Sequence, residues 1–449
     1  MTRYRCELAW SPGEGVRAGL AVDVDGGRIT AVGSPPPGPE EIPLAGLVVP
    51  GFANVHSHVF HRALRGTAEE AGAGSFWGWR ERMYACAGAL DPDRLHALAR
   101  AVFAELALAG WTAVGEFHYL HHRPDGGPYT DPNAMGNALV AAAGEAGVRL
   151  GLLDTCYLAG GFGRPLEGVQ RRFGDPDAAS WAARVEDLHR AHGARDGVVI
   201  GAAAHSVRAV PADALAVVGA WSAAHEVPLH VHVSEQPAEN EACLAATGRS
   251  PVGLLAEAGV LGPRTTAVHA THLTAGDVRL LAGSGSSLGL CPTTEAALAD
   301  GIGPVAALTQ AGVPLALGTD SHAATDPFGE ARRAEWDQRL ATGRRGHLDA
   351  PALLTALTSA GQRAVGFADA GRLTEGARAD LVAVDLHSVR TAGADPATAA
   401  ATVVFGAAAA DVTDVIVDGR AVVRERRHVL GDVPTLLAEA IAPLREELR

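Results

Sequence analysis

The middle of the chain alternates between short apolar runs and longer segments in which apolar residues recur at helical spacing. Eight runs carry the composition of buried strands: GLVVPGFAN, WTAVGEF, VRLGLLDTCY, GVVIGAAAH, VPLHVHVS, TTAVHA, SSLGLCP and VPLALGTD. Stretches such as PDRLHALARAVFAELALAG lie between most of them and have the period of a helix. This alternation predicts an α/β fold, a parallel (β/α)8 barrel. A doubly wound sheet is the alternative, but no glycine-rich phosphate loop follows the first strand.

The two ends of the chain carry a different pattern from the middle. Short runs with Asp-Gly turns predict strands at both ends: YRCELAW, GLAVDVDGGRITAVG, ADLVAVDL, VVFGA and VTDVIVDGRAVV. A Pro-rich connector, GSPPPGPEEIP, follows the first strands, and VPTLLAEAIAPLREELR predicts an amphipathic helix at the end. We therefore expect a small β-sandwich domain built from residues 1–49 and 372–449, including that helix, beside a barrel at residues 50–371.

The charge and the basic residues of the 449-residue chain exclude several classes of function. The chain has 37 basic against 51 acidic residues and a net charge of −14, which argues against a nucleic-acid or anionic-membrane partner. The chain contains no lysine, so all 37 basic residues are arginines. Without lysine, the chain cannot use a Schiff-base lysine, a P-loop lysine or a carboxylated lysine that bridges two metals.

Cysteine usage and apolar segments bear on the compartment. The five cysteines form no CxxC pair and lie in apolar segments, which predicts free thiols in a reducing compartment. The first residues, MTRYRCELAWSPGEG, lack the apolar core of a signal peptide. No apolar run reaches the roughly 18 residues that a membrane span needs. We expect a soluble cytoplasmic protein.

Polar residues with catalytic chemistry fall where the predicted barrel strands end, which is where barrel enzymes place their active sites. They are His56, His58, Glu116, His118, Tyr119, His205, Arg208, His232, Glu235, His269 and Asp320. His56 and His58 lie two apart on a strand and therefore point to the same face. With His232 and Asp320 they could bind one metal ion and leave a position open for water.

Each of these signals has an ordinary structural explanation when it is taken alone. An HxH pair is often incidental, and Asp320 in GTDS could cap the next helix. His230 shares the face of His232 but lies earlier in the strand, so we rank it second. His121 and His122, in YLHHRPDGGPY, are expected in a solvated loop. The coincidence of such residues on strands 1, 5, 6 and 8 nevertheless favours a metal site.

This arrangement resembles the amidohydrolase superfamily. That family has HxH on the first barrel strand, histidines on the fifth and sixth, aspartate on the eighth, and a β domain built from both termini. The absence of a bridging lysine is typical of its mononuclear branch, which includes many deaminases. Five longer segments are similar to the N-formimidoyl-L-glutamate deiminases of histidine degradation: NVHSHVFHRALRG, SFWGWRERMY, GEFHYLHHRPDGGPY, AAHSVRAV and HVSEQPAE.

The resemblance implies a metal-dependent hydrolase with one divalent ion, zinc, in each subunit. The implied ligands are His56, His58, His232 and Asp320. Asp320 would also take a proton when water is activated, Glu235 would carry a proton to the leaving nitrogen, and His269 would polarise the attacked group. The family further implies a homodimer without nucleic-acid or membrane partners.

The implied reaction converts N-formimidoyl-L-glutamate to N-formyl-L-glutamate and ammonia. Because this substrate has two carboxylates, arginine is the expected recognition residue, since its planar fork binds a carboxylate through two hydrogen bonds. The substrate contacts that the family implies are His61, Arg82, Tyr119, His205 and Arg208. Arg62, Arg65 and Arg80 lack that support. His61 departs from the family, where some relatives have glutamine.

Two other functions stay open. The first is a mononuclear deaminase or chlorohydrolase that acts on a purine, pyrimidine or triazine ring, which needs aromatic or amide contacts to a flat ring. The second is a metal-free, amidohydrolase-like protein that serves in interaction or regulation. A missing ligand would indicate the second function, and none of the ligands is missing from this sequence.

Overall fold

The structure, a computed structural model, describes residues 1–36, 38, 40–67 and 76–447. The strands of this part form two sheets. Four strands come first: β1 (Thr2–Ser11), β2 (Gly15–Asp25), β3 (Arg28–Gly33) and β4 (Glu41–Pro50). The next eight are β5 (Phe52–Ser57), β6 (Trp111–His118), β7 (Arg149–Cys156), β8 (Val198–Ser206), β9 (Leu229–Val233), β10 (Thr265–His269), β11 (Ser287–Leu290) and β12 (Leu315–Leu317). The last four are β13 (Leu381–Val384), β14 (Val412–Val417), β15 (Arg420–Arg424) and β16 (Arg427–His428).

Strands β5 to β12 form the barrel and pair in chain order, each parallel to the next. Each of the eight predicted runs contains residues of one of these strands, which confirms the predicted α/β barrel. The first run is divided, because its residues up to Pro50 belong to β4. Gly51 separates the two sheets, and a Cβ atom there would lie only 2.2 Å from Thr112 Oγ1 and 2.8 Å from Asp380 Cβ.

Helices follow most of the barrel strands. They are α1 (Phe76–Ala89), α2 (Pro92–Leu108), α3 (Ala134–Ala146), α4 (Ala178–His192), α5 (Ala212–His225), α6 (Pro237–Thr247), α7 (Pro251–Glu257), α8 (Ala275–Ser284), α9 (Pro292–Ala297), α10 (Val305–Gln310), α11 (Pro327–Thr342), α12 (Ala350–Thr355), α13 (Gly361–Ala364), α14 (Ala399–Gly406) and α15 (Val433–Glu447). The sequence determines where helix α2 begins: the Asp91 side chain accepts the Arg94 N–H, and Pro92 is the first helical residue. Within the described ranges, the helices are too short or too polar to cross a bilayer.

The remaining strands form one hydrogen-bonded sheet in the order β16-β15-β14-β13-β4-β1-β2-β3. Parallel pairing of β1 with β4 and antiparallel pairing of β4 with β13 join the two ends of the chain. This confirms a separate β unit built from both termini. The run VVFGA, predicted as a strand, instead ends helix α14. The alanines before it favour a helix, and a short apolar run fits either structure.

A buried ion pair joins this sheet to the N-terminal end of the barrel. Arg149, the first residue of β7, donates to both carboxylate oxygens of Asp380, which precedes β13. Asp380 also accepts the N–H of Asp418 at 3.0 Å, and Arg149 donates to the Gln362 side chain at 3.1 Å. Because Arg149 and Asp380 are both buried, solvent screens their attraction little. The sheet is therefore held at the end of the barrel opposite the candidate site.

Candidate active site

The predicted metal ligands come from three places on the rim of the barrel. His56 is in β5 and His58 directly follows it, His232 is in β9, and Asp320 lies three residues after β12. All four side chains are buried. The period-two alternation of a strand turns His56 and His58 into the barrel. Pairing between strands that are distant in the chain brings His232 and Asp320 close to these two histidines.

The ligand atoms of these residues lie in two overlapping groups that share His56, one with His58 and Asp320 and the other with His232 and His269, and within each group the atoms are within 4.8 Å of one another. The Nε2 atoms of His56 and His232 lie 3.0 Å apart. The Oδ1 atom of Asp320 lies 3.5 Å from His56 Nε2 and 3.4 Å from His58 Nε2. His269 is the neighbour on the next strand, with its Nε2 atom 4.0 Å from Asp320 Oδ2.

Backbone carbonyls orient two of the imidazoles. His58 Nδ1 donates to the Phe117 carbonyl at 2.8 Å, and His232 Nδ1 donates to the His205 carbonyl at 2.9 Å. These bonds leave both Nε2 atoms with a lone pair that faces the centre of the site, which is the usual arrangement of histidines that bind metal.

The electrostatics of the centre fit a bound cation. Burial lowers the pKa of His56, His58 and His232, so these imidazoles are neutral. Neutral lone pairs that face each other and the Asp320 carboxylate repel unless a cation lies between them. Three nitrogens and one carboxylate oxygen are a donor set that suits zinc. The residues present therefore fit the metal that the resemblance implies.

Glu235 and His269 form a proton-holding pair beside this centre. Glu235 Oε1 lies 3.9 Å from His269 Nε2, and His269 Nδ1 lies 3.4 Å from Glu295 Oε1. Burial raises the pKa of Glu235. Burial alone would lower the pKa of His269, but the carboxylates of Glu235, Glu295 and Asp320 outweigh it and raise that pKa to about 10. The pair can therefore hold a proton at neutral pH and pass it to a bound group.

The backbone is strained where these side chains leave the strands. Five residues at the rim have positive φ angles: Ser234 (54°), His269 (66°), Ala270 (51°), Asp320 (43°) and His322 (55°). Residues other than glycine enter this left-handed region at a cost of about 1–3 kcal/mol each, and such residues cluster at functional sites. The strain lies where β9, β10 and β12 turn into their loops.

A cavity opens above this centre. It is lined by Trp79, Tyr84, Tyr119, Tyr157 and Phe173, and by the polar side chains of His61, His205, Arg80 and Arg208. His61 Nε2 lies 2.9 Å from the Tyr119 hydroxyl, and Arg80 Nε donates to the Tyr84 hydroxyl at 2.7 Å. Arg208 makes no hydrogen bond or ion pair with any residue that the structure describes. Its guanidinium is therefore available to an anionic ligand.

The structure brings together four of the five predicted substrate contacts and not the fifth. His61, Tyr119, His205 and Arg208 line the cavity, whereas Arg82 does not. Arg80 lines the cavity instead, because side chains two positions apart on helix α1 point in nearly opposite directions. The spacing of Trp79, Arg80, Met83 and Tyr84 on one helical face is the signal in the sequence that favours Arg80 over Arg82.

Other polar residues at the strand ends point away from the cavity. His121 and His122, expected in a solvated loop, are buried behind the barrel wall. Potential ligand atoms of His118, His121 and Asp154 come within 4.8 Å of one another there. However, Arg184 donates to both oxygens of Asp154 at 2.8 and 2.9 Å, so this carboxylate already has a cationic partner. Periodicity could not reveal this cluster, because it depends on the packing of α4 against the barrel.

Comparison with known proteins identifies the family. Residues 47–422 match the sequence profile of the amidohydrolase family. The chain belongs to the amidohydrolase family. This amidohydrolase is 39% identical to the formimidoylglutamate deiminase of Pseudomonas aeruginosa over 398 residues, which are 86% of each chain. It is 32% identical to the 5-methylthioadenosine/S-adenosylhomocysteine deaminase of Halobacterium salinarum, across 91% of this chain and 88% of that protein.

Solved structures agree with this assignment. An amidohydrolase from Brucella melitensis superposes with a TM-score of 0.91 at 33% identity, covering 99% of this chain and 100% of that one. An adenosine deaminase from Xanthomonas campestris, solved with bound zinc, superposes with a TM-score of 0.85 at 25% identity, covering 100% and 98%. The chain is thus an amidohydrolase of the hydrolytic deaminase type.

Replacement of Asp320 by alanine should abolish tight metal binding. The change removes the anionic ligand and leaves three neutral imidazoles, so bound zinc should fall from about one ion per chain to a small fraction of that. Mass spectrometry of metal in dialysed protein measures this. Asp326→Ala is the matched control, because Asp326 caps helix α11 and does not approach the centre. Zinc retained by Asp320→Ala would remove Asp320 from the ligand set.

Proposed function

We propose that this amidohydrolase hydrolyses N-formimidoyl-L-glutamate to N-formyl-L-glutamate and ammonia. The observation that supports this substrate most strongly is the pair of arginines, Arg80 and Arg208, in the cavity above the candidate metal centre. Two carboxylates of a linear substrate would find two guanidinium groups there. The 39% identity to a formimidoylglutamate deiminase supports the same substrate.

We assign the metal ion to His56, His58, His232 and Asp320 on the distances between their ligand atoms, and zinc is the metal that this donor set suits. When bound, such an ion supplies a Lewis acid that lowers the pKa of water towards about 7 and so provides a nucleophile at neutral pH. The remaining chemistry belongs to the side chains around it.

Hydrolysis requires that two protons move. Water adds to the formimidoyl carbon, the bond from that carbon to its terminal nitrogen breaks, and the nitrogen leaves as ammonia. Asp320 accepts the two protons of the water in turn, one on attack and one as the C=O bond forms, and Glu235 delivers two protons in turn to the terminal nitrogen, which starts as an imino N–H and leaves as NH3. His269, held by Glu295 on its other side, donates a hydrogen bond to the group under attack and stabilises the tetrahedral intermediate.

The walls of the cavity orient the substrate. Arg208 forms no ion pair within the described chain, so a substrate carboxylate can accept two hydrogen bonds from its guanidinium. Arg80 approaches from α1 on the other side, and its hydrogen bond to the Tyr84 hydroxyl fixes its direction. Two such contacts hold the reacting carbon in position, and correct orientation of the reacting groups increases the rate. The homodimer and the cytoplasmic location stay predictions.

A nucleoside deaminase is the second candidate function. The aromatic rings of Trp79, Tyr84, Tyr119, Tyr157 and Phe173 around the cavity could stack against a purine. The Halobacterium salinarum relative, named for 5-methylthioadenosine and S-adenosylhomocysteine, supports this alternative at lower identity. The two arginines favour the linear substrate, because N-formimidoyl-L-glutamate has two carboxylates, whereas S-adenosylhomocysteine has one and 5-methylthioadenosine has none.

An ammonia-release assay tests the substrate directly. We expect release from N-formimidoyl-L-glutamate, and little or none from 5-methylthioadenosine, S-adenosylhomocysteine or guanine. A metal chelator should abolish the release, and added zinc should restore it. Release from a purine substrate together with none from N-formimidoyl-L-glutamate would establish the second candidate instead.

Replacement of Arg208 by alanine should raise KM for N-formimidoyl-L-glutamate by about 10–100-fold, because a charge-assisted hydrogen bond is worth about 1.5–3 kcal/mol. The value of kcat should fall less than KM rises. Arg82→Ala is the matched control: this arginine is close in the chain to Arg80 but does not line the cavity. Steady-state kinetics on both variants measure the difference, and an unchanged KM in Arg208→Ala would contradict the carboxylate contact.

Replacement of Glu235 by glutamine should lower kcat by about 100–10,000-fold, because the amide cannot deliver a proton to the leaving nitrogen. The zinc content should not change, since Glu235 is not among the proposed ligands. Glu241→Gln, on the exposed side of α6, is the control and should leave both quantities unaltered. Normal turnover in Glu235→Gln would show that another group carries the proton.

A further inference from the structure

Behind the barrel wall, a small polar cluster contacts the HxH segment from the side opposite the candidate metal centre. Ser57 lies between His56 and His58, and the alternation of the strand points its side chain away from the centre. The Ser57 hydroxyl donates to Glu116 Oε2 at 2.6 Å and lies 2.9 Å from His322 Nε2. Ser57, Glu116 and His322 are all buried.

Glu116 binds the HxH segment at two points. Its Oε2 atom accepts the Ser57 hydroxyl, and its Oε1 atom accepts the backbone N–H of Val59 at 2.9 Å. These two residues flank His58, so a single carboxyl group on β6 holds the Ser57 side chain on one side of that predicted ligand and the Val59 backbone on the other. The sequence alone placed Glu116 at a strand end but could not show which way it pointed.

His322 extends the same cluster to the segment that carries Asp320. The Ser57 oxygen lies 2.9 Å from His322 Nε2, and the tautomer of His322 sets which of the two donates. His322 lies two residues after Asp320, and its carbonyl accepts a hydrogen bond from Arg65 Nε at 2.8 Å. The chain of side chains thus joins β6, the end of β5 and the loop after β12.

We propose that Glu116 and His322 are positioning residues that set the distance between the HxH histidines and Asp320, and thereby the affinity for the metal ion. This inference rests on the metal centre proposed above and adds two residues that are outside the proposed ligand set and do not line the cavity. Ser57 links the two residues, since its hydroxyl contacts both Glu116 and His322.

The geometry of the centre explains why these supporting hydrogen bonds matter. Three pairs of ligand atoms lie 3.0 to 3.5 Å apart, His56–His232, His56–Asp320 and His58–Asp320, and Asp320 lies in the loop after β12. A metal ion tolerates only small errors in the positions of its donors, so supporting hydrogen bonds of this kind are commonly worth about 10–100-fold in affinity. Glu116 supplies two of those bonds to the segment that carries two of the four ligands.

Zinc affinity is the decisive measurement, because a residue with only a structural role would not change it selectively. Zinc-loaded protein is titrated with a chromophoric chelator, and the dissociation constant is obtained from the zinc released. We expect Glu116→Ala to weaken zinc binding by about 10–100-fold. Glu116→Gln should recover most of the loss, because its amide oxygen still accepts from Val59 and its amide nitrogen can donate to Ser57.

Glu335→Ala is the matched control. Glu335, like Glu116, is a buried glutamate that accepts two hydrogen bonds, here from the backbone N–H groups of Gly346 and Leu348, but it ties the segment after helix α11 to that helix and does not contact the HxH segment through them. It should lose thermal stability and keep its zinc affinity. Unchanged affinity in Glu116→Ala would overturn the inference, and so would an equal loss in Glu335→Ala.

Ser57→Ala keeps the test decisive if Glu116→Ala does not fold. It removes only a hydroxyl but disconnects Glu116 from His322, so we expect weaker zinc binding there too, and unchanged affinity would overturn the inference. The result for the unchanged chain separates the two proposals. If that chain binds no zinc, the metal centre and this inference both fall; if it binds zinc as tightly as these variants do, only this inference falls.

Discussion

Closure of the barrel between its first and last strands is the contact on which the candidate site depends. The Asp320 N–H donates to the His56 carbonyl at 2.9 Å, and the His58 N–H donates to the Asp320 carbonyl at 3.1 Å. A Cβ atom at Gly318 would lie 2.8 Å from the backbone nitrogen and oxygen of His56, so only glycine allows this approach. Backbone hydrogen bonds therefore hold the aspartate of the last strand against both histidines of the first.

Burial then gives these side chains their chemistry. Because the centre is shielded from water, the imidazoles stay neutral and the His58 and His232 nitrogens keep lone pairs available for a cation. The same burial raises the pKa of Glu235, whose Oε1 atom lies 3.9 Å from His269 Nε2 beside the centre. Burial thus shifts the pKa values of bases and of acids in opposite directions, so that neutral imidazoles lie beside a carboxyl group whose pKa is raised.

Family and substrate are decided in different parts of the molecule. The barrel and the converging histidines are features of the amidohydrolase fold, and relatives with this fold are named for quite different substrates. The side chains that would recognise a substrate come from α1 and from the loop after β8, where Arg80 and Arg208 face the same cavity. Substitutions in these two segments could change the substrate without disturbing the centre.

The sequence by itself determined the eight barrel strands, the β unit built from both termini and the residues that end each strand. These features follow from local periodicity, which a chain carries wherever it folds. Only the tertiary structure decided that Arg80 rather than Arg82 faces the cavity, that VVFGA ends a helix, and that Glu116 reaches back to Ser57. Each of these outcomes depends on how an element is rotated and packed against residues far away in the chain. Periodicity indicates on which face of a helix or strand a residue lies, but not which residues that face will contact.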